Sequence, residues 1–142
     1  MSASAVADAA FELRDVTFSY AGEQSPALSC VSLEVPRGQC VVLTGPSGCG
    51  KTTVTRLANG LIPVAYDGEM TGEVRVAGVA VRDWRMDDLC RAVGSVFQNP
   101  RSQFFNLDTT SEVAFGCENL GIARAEMRER VDQIVGFGAE NI

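Results

Sequence analysis

The chain has 142 residues, of which 46% are hydrophobic, so it is long and apolar enough to form a globular domain with a hydrophobic core. Its net charge of −6 argues against a nucleic-acid partner, and no apolar run approaches the ~20 residues of a membrane-spanning helix. Five cysteines without paired C-x-x-C spacing, in a chain with no histidine, argue against a zinc site and indicate reduced thiols in a cytoplasmic protein.

The first part of the chain has the pattern of a β-sheet. Residues 1–10 are small and mostly Ala and Ser, and we predict a disordered tail there. Apolar residues alternate over residues 11–20 and again over residues 31–35, which is typical of strands. The alternation slips at residues 14–15, which predicts a β-bulge or two short strands. After a tight turn at residues 36–38, we expect this antiparallel sheet to lead into an α/β core.

A glycine-rich stretch follows at residues 45–53, Gly-Pro-Ser-Gly-Cys-Gly-Lys-Thr-Thr, and it fits the pattern G-x-x-x-x-G-K-[ST]. The apolar residues 40–44 before it predict a buried parallel strand, and residues 53–60 after it predict a helix. A glycine-rich turn could match this pattern by chance. The order of strand, turn and helix favours a phosphate-binding loop instead.

The residue types of this loop explain how it would bind a polyphosphate. Glycines let successive backbone N–H groups converge on one anion, and the start of the helix adds its own N–H groups and positive dipole end. Lys51 would reach the β- and γ-phosphates, the Thr52 hydroxyl would ligate Mg²⁺, and Thr53 would reach the α-phosphate. The predicted ligand-binding residues of the loop are Gly45, Ser47, Gly48, Cys49, Gly50, Lys51, Thr52 and Thr53.

The second half of the chain alternates between predicted strands and helices. Residues 71–78 predict a strand that turns at Gly78, residues 86–93 a short helix, and residues 93–97 another short strand. Residues 109–112, Thr-Thr-Ser-Glu, form a predicted capping box that starts a helix ending near Gly121.

A last helix is predicted from its apolar spacing. Glu126 and Arg130 are predicted to pair at i,i+4 outside this helix. One face carries Met127, Val131, Ile134 and Val135.

Four separate pieces of the sequence resemble the ATP-binding subunits of ABC transporters, in the same order. They are Tyr20 at the end of the first strand, the phosphate loop, the strand over 71–78, and residues 96–100, Val-Phe-Gln-Asn-Pro. On composition alone Tyr20 is a plain strand-end tyrosine, but the resemblance implies that it stacks on adenine. The resemblance also implies that Gln98 is a glutamine-loop residue that contacts Mg²⁺ and the attacking water and senses the membrane subunit. ATP and Mg²⁺ are thus the implied cofactors, and Lys51 and Gln98 the implied catalytic residues.

A narrower resemblance concerns the energy-coupling-factor group, whose members import vitamins and transition-metal ions. It rests on residues 97–100, on Gln103-Phe104-Phe105, and on the segments 112–116 and 118–121. It implies a second ATP-binding subunit or domain and a transmembrane coupling subunit as partners. The implied location is cytoplasmic, peripheral on the inner face of the cell membrane.

Parts of the family pattern do not occur in this sequence. It has no Leu-Ser-Gly-Gly-Gln signature, no apolar strand that ends in Asp-Glu, and no switch histidine. We therefore expect the N-terminal portion of such a subunit, cut within its helical subdomain, which binds Mg-nucleotide but hardly hydrolyses it. Self-association through an exposed sheet edge is a further expectation. The alternative is a complete nucleotide-binding or regulatory module without catalysis.

The predicted fold class is α/β, a P-loop NTPase core preceded by an antiparallel β subdomain. Within it we expect the antiparallel part at residues 11–38, the P-loop core up to the glutamine loop at 39–100, and the start of a helical subdomain at 101–142.

Overall fold

The computed structural model describes residues 9–140, and it describes their side chains except at positions 100, 102 and 137–140. The chain forms two compact units that divide between Gly94 and Ser95. The sequence analysis expected a division at residue 100. The predicted tail at residues 1–8 lies outside the described residues.

The first unit contains a four-stranded antiparallel sheet in the order β2-β1-β3-β4. Its strands are β1 (Ala9–Tyr20), β2 (Leu28–Pro36), β3 (Gly68–Val76) and the short β4 (Val79–Ala80). The predicted antiparallel sheet is therefore confirmed, and the strand predicted over 71–78 is one of its members.

The first strand begins earlier than predicted. The prediction of a tail up to residue 10 was wrong for Ala9 and Ala10, because both belong to β1. Ala9 lies opposite Pro36 of β2, and the carbonyl of Ala10 accepts a hydrogen bond from the N–H of Ala77. These pairings satisfy backbone groups that a free tail would leave to water.

The predicted bulge in β1 is confirmed, and both neighbouring strands hold it. Asp15 has φ 48°, in the left-handed region, and the register shifts here against both β2 and β3. On the β2 side, the N–H of Asp15 donates to Ser32 Oγ at 2.9 Å, and Ser32 Oγ donates to Asp15 Oδ1 at 2.9 Å. On the β3 side, Gly72 has φ 83°, and a Cβ there would lie 2.5 Å from the carbonyl oxygens of Arg14 and Asp15. Only glycine fits this position without a shift of the backbone.

Helices pack on the sheet and close its core. The helices of the first unit are α1 (Lys51–Ala58), α2 (Leu61–Val64), the 3-10 turn Val81–Asp83 and α3 (Met86–Ala92). The helix predicted after the glycine-rich loop is confirmed, but it covers residues 51–58 and not 53–60. Its apolar face is buried through Val54 and Leu57. The buried core comprises Leu13, Val16, Phe18, Leu28, Val54, Leu57, Ile62 and Val74.

Two predicted strands are absent from the described residues. Residues 40–44 and 93–97 have no strand pairing there, and Val42 and Val96 are 76% and 94% exposed. The predictions of a buried parallel strand at residues 40–44 and of a short strand at residues 93–97 were therefore wrong. A central parallel strand needs a neighbour on each side and cover on both faces. Among residues 9–140, neither segment is paired with a parallel strand.

The second unit is helical. It contains the 3-10 turn Pro100–Gln103, α4 (Thr109–Asn119) and α5 (Arg124–Glu140). The predicted pair on α5 is confirmed, since Arg130 Nη2 donates to Glu126 Oε1 at 2.6 Å. The apolar face predicted for this helix is only partly buried, because Val131 is 5% exposed whereas Ile134 is 58% exposed.

The cap of α4 differs from the predicted capping box. The residue that precedes the helix is Asp108, whose Oδ1 accepts from the Ser111 N–H at 2.8 Å and whose Oδ2 accepts from Ser111 Oγ at 2.8 Å. Thr109 is thus the first helical residue, and Glu112 turns toward the preceding loop. Because Asp108 accepts from the Ser111 N–H, it occupies the N-cap position that the capping box would give to Thr109.

Among the helices that the structure describes, none has both the length and the apolar character needed to cross a membrane.

Candidate functional site

The glycine-rich loop opens directly into α1, so the start of this helix lies at the predicted phosphate loop. Within residues 9–140, no side chain caps α1, and its first turn carries no acidic residue. The first helical hydrogen bond runs from the Val54 N–H to the Gly50 carbonyl at 3.0 Å. The N–H groups of the first turn have no partner in the helix itself, and they lie at its positive dipole end.

Gly50 is the residue that turns the loop into the helix. Its φ is 90° and its ψ is −1°, a left-handed conformation. A Cβ at this position would lie 2.7 Å from both the Ala27 carbonyl oxygen and the Leu28 Cδ2 atom. The end of the loop is therefore packed tightly against the beginning of β2. This contact is the structural reason for a glycine immediately before the lysine.

The Lys51 side chain folds back over the loop that precedes it. Its Nζ donates to the carbonyls of Gly45 at 2.8 Å and Pro46 at 2.7 Å, and it lies 3.3 Å from Cys49 Sγ. These contacts place the ammonium group within the curve of the loop. An ammonium group has three donors, so a phosphate oxygen would replace at least one of these acceptors.

Tyr20 and Thr53 are brought together from distant parts of the sequence. The two hydroxyl oxygens lie 3.0 Å apart, and Thr53 is 4% exposed. Arg56 Nη1 donates to the same Tyr20 hydroxyl at 2.9 Å. The tyrosine at the end of β1 is thus tied directly to the helix that follows the phosphate loop.

A second tyrosine lies against Arg56, and the sequence analysis identified neither residue. The guanidinium carbon of Arg56 lies 3.8 Å from the centroid of the Tyr66 ring, a cation–π contact. Arg56 follows Thr53 by three positions, so the helical repeat alone could have placed both on one face of α1. No comparable pattern indicates Tyr66, because it lies in the connection after α2.

The remaining predicted residues are exposed. Ser47 and Thr52 are exposed in the first unit, and Gln98 is exposed in the second unit, just before the 3-10 turn. In the described part of the chain no group of three or more Asp, Glu, Cys or His side chains could hold a metal ion. Mg²⁺ in phosphate sites takes most of its ligands from phosphates and water. Thr52 stays the predicted protein ligand of Mg²⁺ in the loop.

In the second unit, acidic side chains organise the segment after the predicted glutamine loop. Glu112 Oε2 accepts from the N–H groups of Asn106 at 2.9 Å and Phe105 at 3.0 Å, and from Asn106 Nδ2 at 3.1 Å. These bonds, above all the one from the Asn106 N–H, hold the pKa of Glu112 below its ordinary value. Hydrogen bonds from the Ser111 N–H and hydroxyl lower the pKa of Asp108 in the same way.

The comparison with protein families identifies the family of the chain. The family model described as "ABC transporter" matches residues 28–138, which include the phosphate loop, α1 and the segment around Gln98. The chain belongs to the ABC transporter family. The family match therefore shows a P-loop NTPase domain, and the mixed α/β structure with its antiparallel sheet agrees with it.

Individual relatives carry names that agree with this family. A Treponema denticola protein named as an ABC transporter ATP-binding protein is 48% identical over 122 residues, 86% of this chain and 25% of that protein. A protein of the same description from Methanosarcina acetivorans is 42% identical over 86% of this chain and 19% of its own length. One from Pyrococcus horikoshii is 44% identical over 84% of this chain and 42% of its own length. The chain thus spans between about a fifth and two fifths of these relatives.

Proposed function

We propose that this chain binds ATP with Mg²⁺ through residues 45–53 and belongs to the ATPase that energises an ABC-type transporter. The observation that carries the proposal is the uncapped start of α1, which receives a glycine-rich loop with the Lys51 ammonium group held in its curve. Backbone N–H groups, a helix dipole and one cation directed to one place suit a triphosphate. The names of the relatives support ATP as the nucleotide.

Different residues are proposed for the base and for the metal. Tyr20 is the proposed stacking partner of adenine, since it is held beside Thr53 at the end of β1. Thr52 is the proposed protein ligand of Mg²⁺, and Thr53 the proposed contact of the α-phosphate. Gln98 is proposed to contact the Mg²⁺ ion and the attacking water.

We propose binding with little hydrolysis for the 142-residue chain. Hydrolysis needs an in-line water and stabilisation of the charge that develops on the transferred group. Lys51, Thr52 and Gln98 are the residues proposed for these tasks here. The family's catalytic carboxylates and its switch histidine have no counterpart in this sequence.

For the whole transporter, we propose an importer of the energy-coupling-factor type for vitamins or transition-metal ions. The support is the motif at residues 97–100 together with the aromatic pair Phe104 and Phe105, which are 63% and 76% exposed. Exposed aromatic side chains suit a contact with a transmembrane coupling subunit. A second ATP-binding subunit or domain is the other proposed partner, and the inner face of the cell membrane the proposed location.

The test is equilibrium binding of Mg-ATP and release of phosphate by the chain and by Lys51→Ala. The wild type is expected to bind ATP, and Lys51→Ala to bind at least about tenfold more weakly, because charge-assisted hydrogen bonds are lost. Arg128→Met removes one positive charge from an exposed position of α5 and is the matched control. Equal affinity of wild type and Lys51→Ala would contradict the proposed site. Phosphate release that disappears in Lys51→Ala would contradict the proposal of binding without turnover.

The exposed apolar segments motivate a separate measurement. Val41, Val42 and Leu43 are 41%, 76% and 39% exposed. Apolar surface of this kind favours self-association. Light scattering during gel filtration is expected to show an oligomer of the 142-residue chain, and a monomer at high concentration would contradict this expectation.

A further inference from the structure

One hydroxyl group connects the proposed base-stacking ring with the helix of the phosphate loop. The Tyr20 hydroxyl lies between Arg56 Nη1 at 2.9 Å and Thr53 Oγ1 at 3.0 Å. Arginine can only donate, so the Tyr20 oxygen accepts this bond. The phenol hydrogen remains for the Thr53 oxygen. The two hydrogen bonds of the Tyr20 hydroxyl can therefore form at the same time.

The two partners of this hydroxyl are themselves held in place. Thr53 is 4% exposed and lies in the first turn of α1, so its position follows that of the phosphate loop. Arg56 is fixed by the Tyr66 ring, which lies 3.8 Å from the guanidinium carbon. The Tyr20 ring also meets Phe18 edge-on, with the ring centroids 4.8 Å apart. A flat guanidinium group stacked on a ring loses little further freedom when it donates to a neighbour.

We propose that Arg56 is a positioning residue for the nucleotide, which acts through Tyr20. Together with Thr53, it fixes the orientation of the Tyr20 ring relative to the phosphate loop, and Tyr66 holds Arg56 in the geometry that this needs. The proposal rests on the proposed function, since it assigns Tyr20 to the base and the loop to the phosphates. The proposed function uses only the ring of Tyr20. This proposal also gives roles to the Tyr20 hydroxyl, to Arg56 and to Tyr66.

Pure charge attraction is the competing explanation for any effect of Arg56. A free arginine near a triphosphate would attract every polyphosphate, with or without a base. A residue that positions the ring matters for ATP and much less for inorganic tripolyphosphate, which has no base. The two explanations therefore differ in how much more Arg56→Met weakens the binding of ATP than the binding of tripolyphosphate.

The experiment is a double-mutant cycle with Tyr20→Phe and Arg56→Met, with Mg-ATP and Mg-tripolyphosphate as probes. Arg56→Met is expected to weaken ATP binding about five- to tenfold, the effect of one hydrogen bond of ordinary strength. Tripolyphosphate binding should change less than about twofold. In the Tyr20→Phe background, which keeps the ring but lacks the hydroxyl, Arg56→Met should also change ATP affinity less than about twofold. Tyr66→Leu should also weaken ATP binding, because it removes the ring against which the Arg56 guanidinium lies.

The outcomes separate this proposal from the function on which it rests. If the wild type binds neither probe, both proposals fail. If the wild type binds both probes and Lys51→Ala binds neither, the proposed function stands. The role of Arg56 would then be overturned if Arg56→Met and Tyr20→Phe had additive effects on ATP affinity. It would also be overturned if Arg56→Met lowered the affinity for ATP and for tripolyphosphate equally. Arg128→Met controls for the loss of one charge. Thermal unfolding of each variant shows whether a loss of affinity is caused by a loss of folded protein. If Arg56→Met does not fold, Tyr66→Leu tests the same proposal independently.

Discussion

The ammonium nitrogen of Lys51 lies 3.3 Å from the sulfur atom of Cys49, inside the proposed phosphate loop. Cys49 is exposed, so a reagent can reach its sulfur while the loop is free. A nucleotide bound to the loop would cover it.

The first prediction is that Mg-ATP protects Cys49 from N-ethylmaleimide. With ATP at about ten times its Kd, labelling of Cys49 should slow about tenfold, because only the free protein reacts. Peptide mapping by mass spectrometry measures this rate. Cys90 is exposed on α3 and serves as the internal control, since its labelling should not change. Equal rates at Cys49 with and without ATP would contradict nucleotide binding at this loop.

A second prediction concerns the bulge of β1. Gly72 and Gly22 both have φ 83°, but a Cβ would meet the backbone oxygens of Arg14 and Asp15 only at Gly72, while at Gly22 it would find nothing within 4 Å. Gly72→Ala should therefore lower the free energy of unfolding by more than Gly22→Ala, which carries only the left-handed strain of about 1–2 kcal/mol. Urea denaturation measures both values. Similar losses for the two variants would show that the close contact at Gly72 relaxes easily.

The third prediction concerns the contact of α1 with the sheet. Leu57 is 1% exposed in the core, so Leu57→Ala leaves a cavity and should lower the free energy of unfolding by about 2–5 kcal/mol. Val64→Ala is the control, because Val64 is 71% exposed and its loss should change stability by less than about 0.5 kcal/mol. Nearly equal melting temperatures of the two variants would contradict the packing of α1 on this sheet.

The fourth prediction concerns pH and the start of α4. The pKa of Asp108 is lowered in the folded chain by its bonds from Ser111, so the carboxylate stabilises α4 above the ordinary carboxyl pKa of about 4. This stabilisation is lost as the pH falls through the lowered value. The amide resonance of Ser111 should titrate below pH 4 in the wild type, as followed by NMR. Asp108→Asn keeps an accepting oxygen but does not ionise, so its Ser111 resonance should not titrate in this range.

Local features of the fold could be predicted from the sequence, because they depend on neighbours in the chain. The slip in alternation at residues 14–15 corresponds to the bulge at Asp15, and the spacing of Glu126 and Arg130 corresponds to an observed ion pair. The helix after the glycine-rich loop also follows from local pattern. The cap of α4 shows the limit of this reasoning. The sequence offers Asp108 and Thr109 as neighbouring N-cap residues, and the structure has Asp108 at this position.

Features that depend on distant partners were harder to predict. The apolar run at residues 40–44 has the composition of a parallel strand, but a strand forms only where another strand accepts its hydrogen bonds. The contact of Tyr20 with Arg56 joins residues 36 positions apart, and nothing in the local pattern of either residue indicates it. The roles of Gln98, Thr52 and the other predicted ligands stay predictions.

The position of β1 has a consequence for how the chain is made. This strand is synthesised before the other three strands of the sheet, yet it lies between β2 and β3. The nascent chain can pair β1 with β2 at once, but the other edge of β1 stays open until residues 68–76 leave the ribosome. During that interval the side chains of Leu13, Val16 and Phe18 have not yet received the cover of α1 and β3. A strand with an open edge and an apolar face is a target for chaperones, and slow translation between β2 and β3 would prolong this exposure.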